Sequence, residues 1–140
     1  NIPFDRVLPP DCPDVLKDVL QPESEIPENL YYSAPLLSVD MGKQVCATLN
    51  IKTNEMNRRV FNPEYKCHTL TCVSGGHQQK KVLVNGRCRK LTPIEYERLQ
   101  TLPDNYTAGV SDTARYTAVG NGWTVDAIAY ILRGLRRSGK

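Results

Sequence analysis

The 140 residues contain no long apolar run. The longest, Ala127 to Leu132, has six residues, against the roughly 18–20 needed to cross a bilayer. The first residues, Asn1-Ile2-Pro3-Phe4-Asp5-Arg6, lack the basic, apolar and small-residue succession of a signal peptide. The five cysteines, at 12, 46, 67, 72 and 88, are odd in number and have no CxxC spacing. That pattern argues against a secreted disulfide scaffold and for a cytosolic chain. Only two histidines are present, and there is no GxGxxG, GxxxxGK[ST] or HExxH. The commonest dinucleotide, nucleotide and metalloprotease devices are therefore missing. Nothing places Ser74 or Ser111 on a nucleophile elbow. Cys67, Cys72 and His77, with His68 alongside, are spaced more widely than the paired ligands of structural zinc sites. They read as small thiols buried in a β element rather than as metal ligands. Asn1 stands where an intact chain would carry Met, as in a fragment or a processed piece.

What is present is a soluble globular composition, 40% hydrophobic and 24% charged, long enough for one domain with a core. The net charge of +3 conceals a gradient. Residues 1–40 carry a balance of −6, residues 41–86 of +5 and residues 87–140 of +4. A basic middle suits a surface that tracks phosphates, since each displaced counterion adds affinity.

Prolines at 3, 9, 10, 13, 22 and 27 keep residues 1–35 extended, with one short helix predicted over Pro13–Leu20, where positions 15, 16, 19 and 20 form an apolar face. Residues 36–86 read as irregular β structure, with strands expected at Val45–Ile51, Thr69–Val73 and Lys81–Val84. Val84-Asn85-Gly86-Arg87 is a tight hairpin turn, because Asn-Gly tolerates positive φ. The last third is helical. Thr92 caps, Pro93 occupies the first helical position and Glu95 closes a capping box on a helix running to Thr101. A second helix is expected from Asp112 or Thr113 to Gly120. A third starts at Thr124 with a stripe of Val125, Ile128, Ala129, Leu132 and Leu135 that must pack on something.

One stretch is more specific than any of these. Arg89-Lys90-Leu91-Thr92-Pro93-Ile94-Glu95-Tyr96-Glu97-Arg98-Leu99-Gln100-Thr101-Leu102-Pro103-Asp104-Asn105-Tyr106, with Gly120-Asn121-Gly122-Trp123 after it, resembles the last two motifs of the cytosine-5 DNA methyltransferases. Leu8-Pro9-Pro10, Leu16-Lys17-Asp18-Val19-Leu20 and Ile26-Pro27-Glu28 resemble the family's lead-in from its catalytic motifs. Arg59 to Gly76 resembles its target-recognition domain, which carries a Thr-Leu pair. Trp123 is similar to the Trp-bearing branch of the family.

The resemblance implies an α+β chain in three parts. Residues 1–35 are a lead-in segment from the catalytic domain, and 36–88 an irregular, β-rich target-recognition domain. Residues 89–140 are helices that complete a Rossmann-like α/β methyltransferase domain. It implies duplex DNA as partner, with a target cytosine flipped from the stack, and S-adenosylmethionine as cofactor, leaving S-adenosylhomocysteine. Recognition would fall to Lys66, His68, Thr69, Leu70, Thr71, Ser74, Gly75, Gly76, Lys80 and Lys81. A solvated loop is the alternative reading for each lysine. One wall of the cofactor site would fall to Asn121, Gly122 and Trp123, where a helix N-terminus offers unpaired N–H groups. An ordinary core position is the competing reading for Trp123. The departures are equally informative. No cysteine comes directly after a proline, so the family's nucleophile is absent, as are its Glu-Asn-Val acid, its glycine-rich cofactor strand and its Gln-x-Arg-x-Arg element. The chain holds no catalytic residue and no metal site on this reading. It would act with an N-terminal catalytic portion or a separate catalytic subunit, as a bacterial or phage-encoded protein of the cytoplasm with no membrane partner. A non-catalytic DNA-binding or regulatory module derived from the family, or a piece of an RNA cytosine methyltransferase, are the alternatives.

Overall fold

The structure, a computed structural model, describes residues 14–137. The expectations for Leu8-Pro9-Pro10 and for the side chain of Leu135 lie outside what it describes. The chain is α+β. Five strands, β1 (Leu36–Leu37), β2 (Val45–Leu49), β3 (Arg59–Phe61), β4 (Lys81–Val84) and β5 (Arg87–Lys90), form one sheet in sequential order. All neighbours are antiparallel except β3 and β4, which run parallel. A one-turn helix, α1 (Glu55–Arg58), leads into β3 and is capped by the Asn54 side chain. Three further helices come after the sheet: α2 (Pro93–Leu99), α3 (Asp112–Asn121) and α4 (Val125–Arg137).

Side chains alternate along a strand, so adjacent residues go to opposite faces. Phe61 and Val82 join a buried cluster with Leu16, Val73, Leu91, Tyr96, Tyr116 and Val119. Their neighbours Val60 and Leu83 join Cys46, Ala47, Leu49 and Cys88 on the other side. Both faces are covered, which is why β2 and β4 read as largely apolar runs rather than as clean alternation. The first cluster draws on the lead-in, the sheet and the C-terminal helices together.

The hairpin forms as expected, with Asn85 at φ 49° and Gly86 at φ 75° joining β4 and β5. The capping box at Thr92 forms as well. Thr92 Oγ1 accepts the Glu95 N–H at 3.1 Å, and Glu95 Oε2 accepts the Thr92 N–H at 2.7 Å.

Two expected elements do not form. Residues 69–73 are irregular rather than a strand. The segment joining β3 to β4 packs instead on the helices, with Val73 and Leu70 in or against the first buried cluster and the Val73 carbonyl met by the Thr117 hydroxyl, so its β-branched residues take no strand partner. The helix expected over Pro13–Leu20 is reduced to one 3-10 turn, Leu16–Val19. The Gln21 N–H is drawn to Glu95 Oε1 at 2.9 Å, and Leu20 is already extended.

Candidate functional site

The segment 89–106 is a hub of buried polar bonds. Arg89, with no exposed side-chain surface, uses its guanidinium on both oxygens of Glu95 at 2.9 Å, on Glu23 Oε1 at 2.8 and 2.9 Å, and on the Lys90 carbonyl at 3.1 Å. Burial opposes its charge, but the bonds to Glu95 and Glu23 outweigh it and push its pKa up. Removing one partner of such a pair would strand a buried charge. The pair therefore holds the lead-in at Glu23 against the start of α2. Glu97 plays the same part at the other end, accepting from the Asn105 N–H, the Thr107 N–H and hydroxyl, and Arg115.

Gln100 ends α2 and fixes the turn beyond α3. Its Nε2 donates to the carbonyls of Val119 and Gly122, both at 3.1 Å, and its Oε1 accepts from Thr124 Oγ1 at 2.9 Å. The Val125 N–H donates to the Gln100 carbonyl, and the Asp126 N–H to Thr101 Oγ1. The turn between α3 and α4 is thus bolted to α2 on one side. Those last two bonds correct the expectation that the start of α4 offers unpaired N–H groups to a ligand. Two of its donors are already used, because α2 ends beside it.

On the other side the turn is open. Asn121, Gly122 and Trp123 are all exposed, Trp123 to 74%. Its indole continues into the stripe of α4, where Trp123, Val125, Ile128, Ala129 and Leu132 line an open apolar depression of about 590 Å³. Leu132 is 56% exposed. Among the described residues nothing covers this face. The core reading of Trp123 therefore fails within this chain.

The expected recognition residues lie on the segment joining the parallel strands β3 and β4, except Lys81, which is the first residue of β4. Lys66, Thr69, Thr71, Ser74 and Gly76 are exposed. Gly75 (φ 133°) and Gly76 (φ 65°) make the tip, a backbone shape that side chains resist. Ser74 closes that tip by donating its N–H to Gln78 Oε1 at 2.8 Å. Other residues face inward. Leu70 packs against the first buried cluster, and His68 sets its ring against Phe61 with centroids 4.9 Å apart. Burial lowers the His68 pKa, helped by Lys80 and Arg59. Lys80 is half-buried, with its ammonium 5.3 Å from the Phe61 centroid. Lys81 is 1% exposed, and its ammonium donates to the carbonyls of His77 at 2.6 Å and Gln79 at 2.9 Å. Burial lowers its pKa to about 8. Its charge tethers the loop from within, so it has no reach to an outside phosphate. The histidines and thiols of this segment disperse. His77 Nδ1 lies 3.2 Å from the Tyr32 hydroxyl, while Cys72 is exposed. Among the described residues no three His, Cys, Asp or Glu side chains converge on a metal position.

Residues 19–137 match the family model for C-5 cytosine-specific DNA methylases. The chain belongs to that family. Among curated relatives, the type II methyltransferase M.HhaI of Haemophilus parahaemolyticus is 26% identical over 123 residues, covering 83% of this chain and 38% of that protein. The DNA (cytosine-5)-methyltransferase DRM2 of Oryza sativa subsp. japonica is 52% identical over 46 residues, 33% of this chain and 8% of that protein. The type II methyltransferase M.Sau3AI of Staphylococcus aureus is 48% identical over 48 residues, 34% of this chain and 12% of that protein. The chain spans less than two fifths of each of these methylases. Gln100, which sequence reasoning left without a role, gains one here, and two more such residues, Thr117 and Gly120, lie against the backbone of residues 71–73. The signal for Gly120 was its position in a helix, where glycine is otherwise unfavourable. Gln100 gave none beyond its place in the motif.

Proposed function

We propose that this chain is the C-terminal portion of a DNA (cytosine-5-)methyltransferase. In this reading the loop 66–80 contacts duplex DNA, and Asn121, Gly122 and Trp123 form one wall of the S-adenosylmethionine site. The observation that carries it is the exposed Trp123, continuous with the uncovered face of α4 and set on a turn that Gln100 holds rigid. A family member presenting such a face is a half-surface waiting for the rest of its fold. The Rossmann-like catalytic portion is proposed to cover it, giving three parts, a lead-in over 1–35, recognition over 36–88 and the returning helices over 89–140.

The donor-facing residues fit one wall and no more. Asn121 offers an amide, Trp123 an apolar plate with an indole donor, and the depression beside them is lined by aliphatic side chains. When bound, S-adenosylmethionine supplies an electrophilic methyl group. The task of these residues is to hold and orient it. On the DNA side, Thr69 and Thr71 offer hydroxyls, and Lys66 a cation for phosphate, so that base edges specify and backbone contacts position. Leu70 and His68 support the loop from below. The nucleophile and acid are proposed to come from the catalytic portion, in the cytoplasm where DNA is methylated.

Transfer of labelled methyl groups from S-adenosylmethionine to duplex DNA tests this. The 140 residues alone give none, and adding the catalytic portion gives methylated cytosine. In that complete enzyme Trp123→Ala raises KM for the donor roughly tenfold, the size of one lost aromatic contact. Methylation by the 140 residues alone refutes the reading. DNA binding without methylation in either arrangement favours a non-catalytic module instead.

A further inference from the structure

Gly120 sits one residue before the donor-facing turn, and a Cβ placed there would lie 2.3 Å from the Thr71 carbonyl oxygen and 3.2 Å from the Cys72 Cα. Real Cβ atoms do not approach backbone so closely, so only glycine lets this part of the loop lie against α3. Thr117, three residues earlier and on the same face of the helix, has its hydroxyl within reach of the Val73 carbonyl and of the Thr113 carbonyl at 2.9 Å. Val73 itself is fully buried in the first core cluster. The far root of the loop is held by α2. The Lys80 N–H donates to the Tyr96 hydroxyl at 2.8 Å, and Tyr96 stacks edge-on against Tyr116 of α3. The tip, 74–79, lies between these two seated roots and is itself held by the Lys81 bonds to the His77 and Gln79 carbonyls.

We propose that Gly120 and Thr117 are positioning residues for sequence recognition. They set the height of Thr69–Thr71 above α3, and hence where those side chains meet DNA. The inference rests on the reading that this loop contacts DNA. When the contact at Gly120 is crowded, the loop yields rather than the helix. Residues 66–74 have no strand ladder to hold them, whereas the end of α3 is fixed by the two Gln100 bonds. The donor-facing turn therefore stays in place while the reading surface shifts.

The test uses the complete enzyme, assayed on a randomised duplex library with methylated sites read by bisulfite sequencing, alongside KM for DNA and for S-adenosylmethionine. Gly120→Ala raises KM for DNA roughly tenfold, consistent with one lost seat for a polar contact. It also broadens the methylated-site profile and leaves KM for the donor unchanged. Thr117→Val moves the same two readouts in the same direction, and Thr117→Ser, which keeps the hydroxyl, restores the parent profile. A role confined to the helix predicts the opposite, since Ala is the better helix former and Gly120→Ala would then be neutral or stabilising. The proposal is overturned if the Thr117→Val profile matches the parent enzyme, or if donor KM rises in step with DNA KM. Should Gly120→Ala fail to fold, the Thr117 pair decides alone. Thr69→Ala and Thr71→Ala test the underlying reading separately. If neither alters DNA KM or the site profile, the loop does not read DNA, and this proposal falls with that reading whatever the Gly120 and Thr117 variants do.

Discussion

Glu97 has no exposed surface, yet it is held as a carboxylate. Burial alone would raise its pKa, but the Thr107, Arg115 and Asn105 donors outweigh this and lower it. An acid with a depressed folded pKa binds fewer protons folded than unfolded. Its contribution is therefore present above the ordinary value near 4.5 and is lost as pH falls through the folded value. Glu97→Gln places an amide donor against existing donors and costs about 2–3 kcal/mol at neutral pH. Urea unfolding of parent and variant at successive pH values checks it, the difference narrowing below the usual carboxylate range. The motif made Glu97 conspicuous, but nothing in it tells that the partners would be Asn105, Thr107 and Arg115. The Asn105 and Thr107 bonds exist because the loop after α2 folds back on it, and the Arg115 bond because α3 returns beside α2.

At the scale of elements, the start of α2 shows what local sequence can encode. Thr92, Pro93 and Glu95 lie within four positions of one another, so their geometry is set by the chain itself. Thr92→Ala is expected to cost about 1–2 kcal/mol, since Thr92 also donates to Gln21 Oε1 at 2.5 Å. Thr92→Ser should cost much less, and thermal melts of the two variants separate these outcomes. The hairpin at Asn85-Gly86 was legible for the same reason. The segment 69–73 was not, because β propensity expresses itself only where a partner edge exists. Likewise the short turn at Leu16–Val19 is cut off by Glu95, a residue more than seventy positions away in sequence.

For the molecule as a whole, the uncovered face of α4 is the main physical fact. A contiguous apolar patch of this kind marks a surface meant for burial against something else. Leu132→Lys is expected to leave the stability of this chain within about 0.5 kcal/mol, as for other exposed substitutions. On the proposed function it should weaken association with the proposed catalytic portion, and so the methylation yield of the mixture, by at least roughly tenfold. Denaturation of the chain and a pull-down titration against the catalytic portion measure the two effects independently. The stripe's 3.6-residue period was readable in the sequence. Periodicity reports that a face must be buried without saying by what; that it lies open on this chain followed only from the family resemblance, in which these helices complete a domain whose sheet is not among these residues.

The amino-acid order by itself determined the caps, the hairpin, the helical periods and the family motif, because each is written in residues close enough to interact without the rest of the fold. Only the tertiary structure decided that Lys81 turns inward, that Gln100 bolts the turn before α4, and that Gly120 lies under Thr71. Gln100 and Gly120 each meet a segment far away in sequence, and Lys81, though its bonds go to carbonyls two and four residues before it, is enclosed only because the sheet and helices pack around the strand it begins.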